Sequence, residues 1–345
     1  MSGKNSSFIV IFFVCILVLT SFSVSSLDVN DINISKKVNS NFYFIHMTDL
    51  HIMHESFGNL YNKYSKNRFL NVLNEINSFE NKPAFLVITG DLVEWGSGES
   101  GALNYETLVS CLFEKNGQFY IDSDRLIPVY FTPGNHDYYF NWNLDNYQNY
   151  INQDRRYTIT YENMTLFFMD SGPHYMMKPK YWLDVFARGL EDEDITWLEE
   201  QLNNCSSEHK IVLMHHPAIN ERSSDGQMYN VLLNNREVFI ELCENNDVDL
   251  VLVGHTHNSR VFDIYENKYL DYPINTTNYP TLFVQSKANK VDENYNPDCN
   301  YRNISVINGD IWLEENVKVE YKSKSRSVEV SLSFSYILKS ILYRI

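Results

Sequence analysis

The chain has 345 residues, 44% hydrophobic and 21% charged, which excludes a disordered protein and leaves room for one large core or two modest ones. Its formal net charge of −16 argues against a generic electrostatic grip on nucleic acid, because that grip needs Lys and Arg to neutralise phosphates. An anionic substrate must be attracted by something other than the overall field.

In chain order, Met-Ser-Gly-Lys and Asn-Ser-Ser precede twelve apolar residues, Phe8 to Leu19, and then comes the serine-rich "TSFSVSS". That order is signal-peptide grammar, and twelve falls short of the roughly 20 apolar residues of a membrane-spanning helix. Residues 1–27 are expected to be a signal peptide, cleaved near Ser25 or Ser26, or a signal anchor, with a polar linker over 28–41. The protein would then be secreted or membrane-anchored, with its catalytic domain extracytoplasmic. Cys15 lies in that segment, and Cys111, Cys205, Cys243 and Cys299 are too irregularly spaced for a zinc knuckle. Their pairing stays open.

From residue 42 to 310, short apolar runs alternate with helical patterns and no linker interrupts them, as in one α/β domain. Five runs are strand-length and rich in β-branched or aromatic residues: "FYFIHM" (42–47), "AFLVI" (84–88), "IPVYF" (127–131), "IVLM" (211–214) and "DLVLV" (249–253). Between the first two, Phe69, Val72, Leu73, Ile76 and Phe79 recur at three- and four-residue steps and predict a crossover helix. "EDEDITWLEEQLNNC" predicts another helix, its acidic first turn matching the helix dipole and Ile195, Leu198 and Leu202 forming one stripe. Residues 311–345 read as a C-terminal extension, with alternation over "VEVSLSFSY" (328–336) and a short amphipathic end.

Each of the five runs ends at a polar cluster: Asp49-Leu-His51, Gly90-Asp91, Gly134-Asn135-His136-Asp137, His215-His216-Pro217 and Gly254-His255-Thr256-His257. Parallel strands would gather these loops at one sheet edge, where open α/β sheets keep their ligand sites. The set has too many donors for one metal. Nitrogen and oxygen donors without thiolate suit zinc, iron, manganese or cobalt, divalent or mixed-valence. Two such ions form the clamp used for in-line displacement at phosphorus.

These five blocks, in this order, resemble the calcineurin-like metallophosphoesterases. The resemblance spans most of the chain and includes "GLEDEDITWLEEQL" after a strand ending in Asp-Ser-Gly. It implies a two-sheet αββα sandwich with a dinuclear metal site at the strand C-terminal ends. It would place Asp49, His51 and His257 on the first metal and Asn135, His215 and His255 on the second. Asp91 would bridge them, one carboxylate having two oxygens to share. A water between the ions would be the nucleophile and His136 the general acid, oriented by Glu94; Asp137 would brace its loop through backbone amides. His216 would face the substrate. In the loops around the site, Arg222 and Arg260 are candidate phosphate contacts.

A Glu94 in place of tyrosine argues against the purple acid phosphatase branch. The absence of arginine after Gly90-Asp91 argues against protein phosphatases. The layout is closest to the bacterial-type phosphodiesterases. The expected function is hydrolysis of small-molecule or lipid phosphoesters, monoester or diester. The alternatives are an exported nuclease or an inactive binding protein on the same scaffold.

Overall fold

The computed structural model describes residues 41–57, 64–139, 143–172, 189–221, 232–289 and 299–320. The expected signal segment, the linker up to residue 40, Arg222 and the strand expected over 328–336 lie outside the described residues.

Two sheets face each other. The first holds β1 (Phe42–Met47), β2 (Leu86–Thr89), β3 (Phe113–Lys115), β4 (Gln118–Tyr120), β5 (Pro128–Thr132), β12 (Ile274–Asn275), β14 (Asn300–Ile307) and β15 (Asp310–Lys318). Its order is β12-β15-β14-β1-β2-β5-β4-β3. The second holds β6 (Tyr157–Tyr161), β7 (Met164–Phe168), β8 (His209–Leu213), β9 (Leu250–Val253), β10 (Arg260–Phe262), β11 (Lys268–Tyr269) and β13 (Leu282–Gln285), ordered β11-β10-β13-β9-β8-β7-β6. β1, β2 and β5 run parallel in the first, and β7, β8, β9 and β13 in the second.

The apolar runs look continuous in sequence because these strands are buried on both faces. In β1, Phe44 points between the sheets, while Ile45 and Met47 point outward to α1 (Ser65–Ser78) and α2 (Gly98–Val109). In β8, Ile211 and Leu213 point inward; Val212 packs with α4 (Asp192–Asn204) and α5 (Arg236–Asn245) on the other side. A short α3 (Asp145–Tyr150) packs beside α2. The layers are therefore helix, sheet, sheet, helix, as expected. α1 buries Phe69, Val72, Leu73 and Ile76, each worth about 1.5–3 kcal/mol if fully removed from water. α4 opens on a reciprocal capping box between Glu191 and Asp194, which explains part of its acidic start.

The boundary expected at residue 310 is corrected. β15 pairs with β14 along its length and puts Ile311 and Leu313 into the inter-sheet core, so the domain continues at least through β15. Asn308-Gly309, both at positive φ, make the tight turn between them, a strong hairpin motif in the sequence. The four described cysteines are all free.

Candidate active site

All five polar clusters sit at the C-terminal ends of their strands, where the two sheets meet. β1, β2 and β5 deliver Asp49, His51, Asp91, Asn135 and His136; β8 and β9 deliver His215, His255 and His257. Backbone bonds lash the loops together: His51 N donates to Asp91 O (2.9 Å) and Gly254 N to His215 O (3.0 Å). The amide of His255 reaches across the seam to Asp49 Oδ2 (3.1 Å). Asp49, His51, Asp91, His255 and His257 all have φ between 46° and 66°. For residues other than glycine this is uncommon backbone, and such conformations collect at functional sites.

Two groups of donor atoms result. In one, His257 Nε2 lies 3.2 Å from Asp49 Oδ1, and His51 Nε2 lies 3.8 Å from that oxygen. In the other, His255 Nδ1 lies 3.0 Å from Asn135 Oδ1 and 3.3 Å from His215 Nε2. Asp91 Oδ2 joins them, 3.7 Å from His51 Nε2 and 3.2 Å from His215 Nε2. Asp91 Oδ1 accepts the His136 amide (2.8 Å), while Oδ2 faces both groups.

These groups fit metal ions. Donors bound at about 2.1 Å around one ion stand roughly 3.0–3.4 Å apart, close to most of these separations. Asp49 Oδ1 and His51 Nε2 are buried with no aligned hydrogen-bond partner, a costly arrangement unless a cation completes it. The remaining ring nitrogens set the tautomers. His215 Nδ1 donates to Thr89 O (2.9 Å) and His51 Nδ1 to Glu94 Oε2 (3.0 Å), so Nε2 is the inward, ligating nitrogen of each, available to a metal once any proton there is displaced.

The electrostatics agree. Burial works against charge on Asp49 and Asp91, yet His257 and His215 hold Asp49 low, and His215, His136 and His51 hold Asp91 well below the usual carboxylate range. Burial also opposes charge on His215, but Asp91 and Asp49 push it up to about 9. The pocket demands positive charge, and without metal a proton on His215 supplies part of it. His51 differs: burial and His136 outweigh Glu94 and lower it.

His136 donates from Nδ1 to Glu94 O (2.8 Å), which leaves Nε2 as its working nitrogen; its side chain is 23% exposed. The expected role of the Glu94 carboxylate is corrected: Oε2 is 3.9 Å from His136 Nδ1 and bonds His51 instead. Asp137 is buried and accepts from Gly134 N, Leu92 N, Val93 N and the Tyr105 hydroxyl, so it braces the loop. Burial and the Asp91 charge push it up to about 7. His216 is 1% exposed, with Nδ1 on Ser171 Oγ (2.9 Å) and its ring 4.4 Å from that of His255. It is buried beside the second group, with a ring nitrogen within 4.8 Å of donor atoms of His215 and His255, and does not present an open face to substrate. Arg260 is held by Glu221 and Asn220. His46, His54 and His209 bond neighbours away from the donor groups, and His174 lies outside the described residues.

Sequence reasoning missed Gln285. Its buried amide accepts from Thr256 Oγ1 (2.6 Å) and donates to Ile219 O (2.9 Å), tying the loop of His255 and His257 to that of His215. "LFVQS" is another apolar run ending in polar residues at this edge, and the same rule applied there would have found it.

A family profile described as calcineurin-like phosphoesterase matches residues 42–259. The "Probable glycerophosphodiester phosphodiesterase GpdQ" of Arcobacter nitrofigilis is 25% identical over 221 residues, 62% of this chain and 71% of that protein. The "3',5'-cyclic-nucleotide phosphodiesterase alr5338" of Nostoc sp. is 26% identical over 211 residues, 61% of this chain and 70% of that protein. Among solved structures, a purple acid phosphatase from yellow lupin seeds superposes with a TM-score of 0.53 at 11% identity, covering 86% of this chain. The chain spans 58% of the lupin enzyme, and the likeness is one of fold.

Proposed function

We propose that this chain, which belongs to the calcineurin-like phosphoesterase family, hydrolyses small phosphodiesters at a centre of two metal ions. The metal-dependent phosphoester hydrolase chemistry is the family's; the diester preference is our reading, supported by the printed activities of the two relatives. The observation that carries the two-ion reading is Asp91 Oδ2, which faces His51 Nε2 on one side and His215 Nε2 on the other. Asp49, His51 and His257 would hold one ion, and Asn135, His215 and His255 the other. Their nitrogen and oxygen donors suit manganese, iron, zinc or cobalt. When bound, the pair would acidify a water and neutralise charge on the phosphoryl oxygens. His136, its Nδ1 proton committed to Glu94 O, would deliver the proton on Nε2 to the departing oxygen.

Hydrolysis of bis-p-nitrophenyl phosphate and p-nitrophenyl phosphate with added manganese, beside Asp91→Asn, tests this. Faster diester turnover that vanishes in the variant is expected. A monoester preference would overturn the diester reading, and turnover unchanged in Asp91→Asn would overturn the two-ion centre. Silence of metal-loaded, folded protein on both esters would favour a binding protein.

We also place the catalytic domain outside the cytoplasm, on the strength of the apolar run from Phe8 to Leu19 and the small residues after it. N-terminal sequencing of protein recovered from the medium or membranes tests this; an intact Met1 on cytosolic protein would sink it.

A further inference from the structure

We propose that Tyr139 is a positioning residue for both halves of this centre: its hydroxyl orients the Asn135 amide and its ring walls in His136. The proposal rests on the two-ion reading for its first half and on His136 as the proton donor for its second.

An asparagine amide has two ends of nearly equal size, and its partners decide which way it faces. Asn135 Oδ1 points into the second donor group, 3.0 Å from His255 Nδ1. At the opposite end, Nδ2 donates to the Tyr139 hydroxyl at 3.2 Å. An ion in that group needs the carbonyl oxygen; a turned amide would offer it an NH2. The hydroxyl gives the NH2 an acceptor away from the ion and so favours the ligating orientation.

The ring has a separate task. The His136 and Tyr139 rings lie 4.7 Å apart at 44°, and the His51 ring stands edge-on to His136 at 4.5 Å. With Nδ1 tied to Glu94 O, these rings leave His136 little freedom to swing, and Nε2 keeps one direction. A general acid depends on such aim.

The backbone of Tyr139 is anchored independently of its side chain. Its amide donates to His136 O (3.1 Å) and its carbonyl accepts from Ser97 N (2.6 Å), in the loop that follows Asp91. Side-chain substitution therefore spares the fold and separates the two tasks. Tyr139→Phe removes the hydroxyl and keeps the ring; Tyr139→Leu removes both.

The test uses the full-length chain. Mn2+ titration reads the hydroxyl, and rates on aryl phosphodiesters graded from p-nitrophenol to phenol as leaving group read the ring. Tyr139→Phe should bind its weaker Mn2+ about 10–100-fold less tightly, the range of other outer-partner losses, while keeping the wild-type leaving-group dependence. Tyr139→Leu should lose the same metal affinity. It should also slow phenol esters on the order of 10–100-fold more than p-nitrophenol esters, within the range of a misplaced general acid. Wild-type Mn2+ affinity in Tyr139→Phe would overturn the hydroxyl role. Equal slowing of all leaving groups in Tyr139→Leu would overturn the ring role. If the wild type and Asp91→Asn titrate alike, the two-ion reading itself fails and takes the hydroxyl role with it, while the leaving-group comparison still decides the ring.

Discussion

An imidazole that ligates through one nitrogen is aimed by whatever its other nitrogen bonds. His51 shows why this matters, because the group at its back is Glu94, a side chain that the family resemblance assigned to His136. Glu94 serves both histidines with different atoms, its carboxylate on His51 and its backbone carbonyl on His136. Glu94→Ala should therefore weaken one metal by about 10–100-fold and leave the leaving-group dependence unchanged, since the carbonyl survives the substitution. Metal titration beside a leaving-group series checks this. Intact metal affinity with selective slowing of poor leaving groups would return the carboxylate to His136. The sequence carried the identity of Glu94 and its closeness to Asp91. Which histidine it meets depends on how the loop after β2 lies against the loop after β1, through Ile52 O and Glu94 N, and no spacing rule reports that.

At the scale of elements, β1, β2, β5, β8 and β9 were legible because burial on both faces writes them as unbroken apolar runs, each closing on a polar cluster. β3, β4, β10, β11 and β12 were not read, being two or three residues long and too short for periodicity to register; β6, β13, β14 and β15 are longer and were not read either. The left-handed backbone of five donor residues was equally silent, since Asp and His enter that region more often than most residues yet usually lie outside it. Its counterpart is the glycine before several of the donor clusters. A Cβ on Gly134 would lie 2.3 Å from Asp91 N and 2.4 Å from Asp91 Oδ1, so β5 and β2 can close on each other there only without a side chain. Gly134→Ala should displace Asp91, the carboxylate common to both donor groups. It should cost roughly 1–3 kcal/mol of stability, as overpacking does, and abolish uptake of both ions. Metal content and thermal unfolding of the purified variant read the two effects. A variant that folds like wild type and retains two ions would show that the contact can relax and that Asp91 is not held by it.

For the whole molecule, the buried charge couples metal content to pH. In the metal-free protein His215 is raised from 6.5 to about 9, chiefly because Asp91 outweighs the burial that opposes its charge. A group whose folded pKa is raised contributes stability that is complete below its unfolded value and is lost as pH climbs through the folded one. Metal-free protein should therefore lose stability between about pH 6.5 and 9. His209, raised by Asp249 and Gly309 O against its own burial, adds to this loss and is independent of metal. His46 acts on the other side. Burial first, then Arg302, lowers it to about 3, so the unfolded chain takes up a proton below pH 6.5 that the folded chain refuses, and stability falls on acidification. Metal ions displace the His215 proton, so metal-loaded protein should keep only the smaller alkaline loss that His209 and, near pH 7, Asp137 contribute. The expected outcome is a Tm that drops more from pH 6.5 to 9 after chelation than with metal bound, together with proton release on metal uptake below pH 9. Calorimetric titration in buffers of different ionisation enthalpy reads that release. Equal slopes with and without metal, and no proton released, would mean that the charge on His215 is not what the ions replace.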